Sequence, residues 1–172
     1  VEEGLSFLES QIQRAGIRTS VAFSPDLPPL FGDPDALQQV VLNLVLNAVQ
    51  AMPAGGTLTI DGVVEWRKKG GLDLAPPQHF VALVVRDSGP GIPPEQRDQI
   101  FDAFYSTKPA GEGTGLGLTV VAGIVKDHDG WIDVESASPS GTVFRVYLPT
   151  ASDDAPRTTT EGANAVLTTD GD

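Results

Sequence analysis

The chain is 172 residues long, 40% hydrophobic but only 6% aromatic, which suits one compact domain with a largely aliphatic core. Its 11 basic and 23 acidic residues give a formal net charge of -12, which argues against nucleic acid or an anionic membrane as a partner. Any polyphosphate site in it needs local compensation from a cation, backbone amides or a metal ion. Cysteine is absent, which excludes disulfides, thiolate nucleophiles and cysteine-ligated zinc or iron–sulfur clusters.

No charged-then-apolar leader opens the sequence, and no apolar run approaches membrane-spanning length. A cytoplasmic setting without direct membrane insertion of this stretch is therefore expected. Val1 is not a natural start, so a longer parent protein is expected as well.

Leu5, Leu8, Ile12 and Ala15 recur at helical spacing, and Gly16 is a stop signal, which predicts a first helix over 1–16. "IRTSVAFS" (17–24) reads as a strand with Ile17, Thr19, Val21 and Phe23 on one face. The proline-rich "PDLPPLFGDPD" is a connection with room for a short strand at Leu30–Phe31. Asp33 then caps a long helix with Pro34 at its first position. Leu37, Val40, Val41, Leu44, Val45, Ala48, Val49 and Met52 form its apolar face, and "PAGG" ends it. Strands over 57–66 and 79–87 follow, joined by "RKKGGLDLAPPQ", a solvated hairpin tip by its Pro, Gly and paired Lys.

"SGPGIPPEQ" is a loop, "EQRDQIFDAF" a short helical segment and "YSTKPAGEGTG" a second long loop. "LGLTVVAGIVKDH" is a helix, and "WIDVESA" (131–137) with "GTVFRVYLP" (141–149) forms a hairpin turned at "SPSG". Residues 150–172 contain few apolar side chains and read as a flexible tail or linker. The order predicts an α+β fold, a two-layer α/β sandwich in which about three helices cover one face of a mixed five-stranded sheet.

Three stretches carry candidate chemistry. In "NLVLNAVQAM" (43–52), Asn43 and Asn47 stand one helical turn apart, with Gln39 one turn earlier, on a helix otherwise built for burial. Asparagine is a poor helix former, and its carbonyl is a hard oxygen suited to Mg²⁺; for this pair alone a purely structural tie to nearby loops is the stronger reading. In "VALVVRDSGPGI" an aliphatic strand ends in Asp87, followed by Gly89 and Gly91. A carboxylate there suits an exocyclic amine of a base, and the glycines let backbone approach a flat ligand, although Asp-Ser-Gly is also an ordinary turn. In "GEGTGLGLT", Gly111, Gly113, Gly115 and Gly117 precede a helix that begins around Leu116. Open amides at a helix N-terminus hold anions without a basic side chain. The stretch matches neither the G-x-x-x-x-G-K-[ST] P-loop nor the G-x-G-x-x-G dinucleotide fingerprint. Lys108, just before it, is a candidate phosphate contact.

The asparagine helix, "DSGPGI", "IFDAFYSTKP", "GTGLGL" and "GTVFRVYLP" closely resemble, in order, the N, G1, F and G2 boxes and the closing strand of sensor histidine kinase ATP-binding domains. The resemblance covers roughly residues 1–149, and "NLVLNAVQAM" with "FYSTKPAGEGTGLGL" is most similar to the nitrogen-regulation type of two-component kinase. This family has the Bergerat ATP-binding fold, shared with gyrase-type, chaperone and mismatch-repair ATPases.

The resemblance implies roles by position, with ATP and Mg²⁺ as cofactors. Asn47 would coordinate the Mg²⁺ that bridges the phosphates, with Asn43 close to the same phosphates or metal. Asp87 would accept the adenine amino group, with Thr142 behind it. Gly89, Gly91 and Ile92 would frame the adenine pocket. Residues 102–114 would form a mobile ATP lid anchored by Phe101 and Phe104. Lys108 and the segment Gly113, Thr114, Gly115, Leu116, Gly117 and Leu118 would hold the phosphates. The implied partners are a helical hairpin for dimerisation and histidine phosphotransfer, upstream in the parent chain or in trans, and a response-regulator receiver domain.

In hydrolytic relatives of this fold, a Glu one turn before the metal asparagine activates water. Here that position is Asn43, which cannot act as a base, so the pattern favours a kinase over a hydrolase. A serine kinase of the anti-sigma type and a non-catalytic docking module stay open at this point. The only histidines, His79 and His128, lack the acidic helical context of an acceptor. Structural roles are expected for both, with His128 as a helix-end cation.

Overall fold

The computed structural model describes residues 2–69, 76–105, 115–136 and 140–151, with only the backbone given for 2–7. Helix α1 (Glu2–Ala15) ends at Gly16, whose φ of 68° turns the chain into strand β1 (Ile17–Phe23). Helix α2 (Pro34–Ala51) starts as its sequence dictates. The Asp33 carboxylate accepts from Asp35 N at 2.9 Å, and Pro34 takes the first position, where a missing N–H costs nothing. Strands β2 (Gly56–Arg67) and β3 (Gln78–Asp87) form an antiparallel pair, helix α3 (Gly117–Asp127) follows, and β4 (Trp131–Ser136) pairs antiparallel with β5 (Thr142–Pro149).

These strands make one five-stranded sheet in the order β1-β2-β3-β5-β4. The β1–β2 pair is parallel and the others antiparallel, because the α2 crossover returns the chain in the same direction. The α+β sandwich expected from the sequence is therefore present, with α1, α2 and α3 against the sheet.

The core lies between helices and sheet. Val40, Leu44, Val45, Ala48 and Val49 of α2 pack with Val121 and Val125 of α3 and with Leu58, Val85, Phe144 and Val146 of the central strands. A smaller cluster on the opposite face gathers Phe80, Ala82, Val84 and Tyr147. There the Trp131 ring stacks on Tyr147 at 4.5 Å and meets Phe80 edge-on at 4.6 Å, which buries apolar strand surface without a helix.

Four local expectations change. In β1 only Ile17 is buried, and Val21 and Phe23 stand open, because this edge strand runs past the cover that α1 gives its first residue. Leu30 forms an isolated bridge to Thr150 rather than a strand, and Ala151 N donates to Pro29 O at 2.9 Å. The "EQRDQIFDAF" segment is a single 3₁₀ turn at Pro94–Gln96 followed by further turns. Its amides bond three residues back, as in Gln96 N to Pro93 O, Gln99 N to Gln96 O and Asp102 N to Gln99 O. Finally, His128 is no cation. Its Nε2 accepts from Asp33 N at 3.1 Å, so Nδ1 carries the hydrogen and donates to Ile124 O at 2.8 Å. A neutral imidazole thus joins the end of α3 to the start of α2.

Candidate functional site

Asp87 ends β3 with its side chain buried beneath the first turn of the loop that follows. Its Oδ1 accepts from Gly89 N at 2.8 Å, and its carboxylate also accepts from the backbone N–H of Thr142, its register partner on β5. Burial pushes its pKa above the ordinary carboxylate value, and the two amide donors only partly offset this. A carboxylate so placed, with capacity left for another donor, is a ready acceptor for an amine.

Past the end of β3 lies a cavity of about 330 Å³ lined by Ala51, Met52, Pro53, Gly55, Ser88 and Gly89; of the residues expected to frame a base, only Gly89 reaches it. A Cβ on Gly89 would stand 2.9 Å from Asp87 Oδ1 and 3.2 Å from Ala51, crowding this wall. Gly141 is more constrained: its φ is 89°, and a Cβ would meet Asp87 O at 2.1 Å, so only glycine lets the β4–β5 turn close on the end of β3. A separate cavity of about 350 Å³ on the helix-free face touches none of the candidate site residues.

The asparagine pair divides its work. Asn43 Nδ2 donates to Gly117 O at 3.3 Å, and its Oδ1 accepts from Gln39 Nε2 at 3.0 Å. The asparagine helix and the glycine-rich helix start are therefore joined directly. Asn47 is half-buried one turn further along, and its amide has no hydrogen-bond partner among the described residues. Its carbonyl oxygen fits the hard-oxygen ligand that Mg²⁺ takes.

At the start of α3, Leu116 supplies no side-chain cap, so the first-turn amides are open to an anion. Leu118 packs against the core and holds this turn in place. Gly115 has φ 62°, and a Cβ there would lie 2.6 Å from the Phe104 carbonyl carbon. Phe104 N donates to Gly115 O at 3.1 Å, which pins these two residues together across eleven positions of sequence. Lys108, Gly111, Gly113 and Thr114 lie outside the described residues. Phe101 packs against the core, and Thr119 Oγ1 donates to its carbonyl at 3.0 Å. Phe104 is different from expectation: its ring is 77% exposed and its φ is 67°, so it anchors through its amide and not through its ring.

Gly91, with φ 75°, and Ile92 continue the loop past Asp87. Ile92 N donates to Ser136 Oγ at 2.6 Å, and the Arg97 guanidinium donates to the Ser136 carbonyl. Ser136 and Arg97 escape sequence reasoning because each looks like an ordinary surface polar residue. The available signal is positional: Ser136 faces Thr142 across the hairpin.

Comparison with known proteins resolves the family. The model of the histidine kinase-, DNA gyrase B- and HSP90-like ATPases matches residues 32–152. The chain belongs to this family. Sensory histidine kinase/phosphatase NtrB of Rhodobacter capsulatus is 42% identical over 75% of the chain and 36% of its own length. Sensor histidine kinase ZraS of Salmonella typhi is 37% identical over 87% of the chain and 29% of its own length. The chain thus spans about a third of the length of these curated relatives. The solved catalytic domain of histidine kinase ThkA superposes with a TM-score of 0.66 at 29% identity, covering 87% of this chain and 90% of that one. Full-length ShkA in complex with AMPPNP superposes with a TM-score of 0.69 at 28% identity, over 90% of this chain and 30% of that one. Within the family the chain is an ATP-binding catalytic domain of the sensor histidine kinase type, and the likeness to NtrB fits the nitrogen-regulation subgroup.

Proposed function

We propose that this domain binds Mg-ATP and donates the γ-phosphate to a histidine on a separate dimerisation and phosphotransfer hairpin. The phosphoryl group then passes to a response-regulator receiver domain in the cytoplasm. Asp87 receives the adenine amine, with Thr142 beside it and Gly89, Gly91 and Ile92 framing the base. Asn47 holds the Mg²⁺, and the amides from Gly113 to Leu118, with Lys108, hold the phosphates. Residues 102–114 close over the nucleotide. The catalytic unit takes in 1–149 together with Thr150 and Ala151, which are bonded to Leu30 and Pro29, and the remainder of the expected tail lies outside the described residues.

ATP supplies the phosphoryl group, and the chain's residues supply position and charge neutralisation. One observation carries the choice of kinase. Asn43, one turn before Asn47, presents an amide tied to Gly117 and Gln39, and no carboxylate stands there to activate water. Such a site leaves the γ-phosphate to an external nucleophile.

The test is phosphoryl transfer in trans. The chain is incubated with γ-labelled ATP, Mg²⁺ and a dimerisation hairpin carrying a histidine. Label on the hairpin that withstands alkali and is lost in acid, as a phosphoramidate behaves, is the expected result. Release of inorganic phosphate without labelled hairpin would contradict it.

A further inference from the structure

The hydroxyl of Ser136 has a fully determined hydrogen-bond set. It lies 2.6 Å from Ile92 N, 2.9 Å from Gly141 O and 3.2 Å from Thr142 Oγ1, and the residue is buried. Ile92 N is only a donor, so it occupies a lone pair of Ser136 Oγ. Gly141 O is only an acceptor, so it takes the single hydroxyl hydrogen of Ser136. The remaining contact is then possible in one sense alone: Thr142 Oγ1 donates to Ser136 Oγ.

This has a chemical consequence one residue further in. Thr142 and Asp87 are register partners on adjacent strands, so their side chains stand on the same face of the sheet. With its hydrogen committed to Ser136, Thr142 Oγ1 offers the site only lone pairs. The neighbouring Asp87 carboxylate offers only lone pairs as well, since its amide donors are already placed. The polar groups that the Asp87–Thr142 pair presents are therefore all acceptors.

We infer that Ser136 is a specificity-determining residue: by holding the Thr142 hydroxyl hydrogen, it keeps the base-recognising edge free of donors and selects purines with an exocyclic amine over purines with a carbonyl at that position. Ser136 touches no ligand itself and acts through Thr142. The inference rests on the adenine-nucleotide reading above. A freed Thr142 hydroxyl rotates and donates to a carbonyl, which weakens the discrimination, because specificity of this kind comes from mismatched polar groups left facing each other.

The experiment is calorimetric titration of the 172-residue chain with ADP and with inosine diphosphate, which differ in that amine and carbonyl. Wild type is expected to prefer ADP, and Ser136→Ala to narrow the preference about tenfold, the weight of one hydrogen bond. Ser136→Thr, which keeps the hydroxyl, is expected to restore the wild-type ratio. In a Thr142→Val background the Ser136→Ala change is expected to leave the ratio unmoved. An unchanged ratio in Ser136→Ala, or the same narrowing with Val at 142, overturns the proposal while leaving adenine binding intact. If Ser136→Ala fails to fold, Thr142→Val alone decides the matter. It removes the lone pairs that oppose a carbonyl, so it should narrow the preference, and an unchanged preference there overturns the proposal too. Absence of ADP binding by wild type would instead overturn the nucleotide reading and this inference with it.

Discussion

Asn43 Nδ2 donates to the carbonyl of Gly117, 74 residues further along the chain, at 3.3 Å. This bond fixes the asparagine helix to the residue where the glycine-rich segment becomes α3. Asn43→Ala is expected to cost about 1 kcal/mol, the usual weight of a half-buried neutral hydrogen bond, which is a few degrees in thermal midpoint. Asn43→Glu removes the same donor but places a base one turn before Asn47. It should raise ATP hydrolysis above wild type in a phosphate-release assay, and a flat rate would count against the role given to this position.

Asn47 has no hydrogen-bond partner to lose among the described residues, so Asn47→Ala is expected to leave the thermal midpoint nearly unchanged. Its effect should fall on the metal. Nucleotide titrations with and without Mg²⁺ should differ for wild type and coincide for the variant. Equal metal dependence in both would remove Asn47 as the ligand.

Burial raises the Asp87 pKa above its unfolded value near 3.9. Between those two values the folded state holds more protons than the unfolded one, so stability falls as pH rises through this window. The cost is fully present above the folded pKa and absent below about 3.9. Compared with Asp87→Asn, wild type should therefore lose stability from acid toward neutral pH, measured by denaturant unfolding of both proteins across that range. ADP affinity should move the other way, rising as the carboxylate ionises.

The order of elements along the chain and the helix layer follow closely from periodicity and caps, while the order of strands in the sheet comes from the pairing alone. Asp33 with Pro34 opens α2, Gly16 closes α1, and the continuous apolar run Phe80–Val85 marks β3 as a strand buried on both faces. Asp87 and Thr142 were legible as motif residues, yet only the strand register sets them side by side. Where local signals misled, tertiary context decided. Val21 and Phe23 alternate like buried strand residues, but β1 is an edge that α1 barely covers. His128 sits where a cation favours a helix end, but Asp33 N supplies a donor that only a neutral ring accepts. Ser136 carries no sequence signature, because its importance lies in four bonding partners brought together by the hairpin and the Ile92 loop.

The His128 link has its own test. A Cβ at Gly32 would stand 2.4 Å from His128 Cδ2, so Gly32→Ala must displace the ring that holds α3 to α2. Gly32→Ala and His128→Ala are each expected to lower stability by about 1 kcal/mol. Because both break the same link, the double variant should cost little more than either alone in chemical denaturation. Additive losses would show that the link is not shared.

Phe104 combines a left-handed backbone with a ring that is 77% exposed. Such strain is held in place by its surroundings and costs about 1–2 kcal/mol in a non-glycine residue. Phe104→Gly is therefore expected to unfold no more easily than wild type and to keep ADP affinity within about twofold. Leu116 and Val120 at the start of α3 are also exposed apolar residues, a surface that the proposed acceptor hairpin would meet. Transfer to the hairpin should fall in this variant while nucleotide binding stays. A large loss of ADP affinity would place the ring in the nucleotide pocket instead.

The most direct measurement of the central claim is calorimetric titration of ADP with Mg²⁺ into wild type and Asp87→Asn. Loss of the buried carboxylate should weaken binding at least tenfold, roughly one charge-assisted hydrogen bond, while the variant stays folded. Equal affinity in the two proteins would contradict the placement of the adenine amine on Asp87, and with it the site described here.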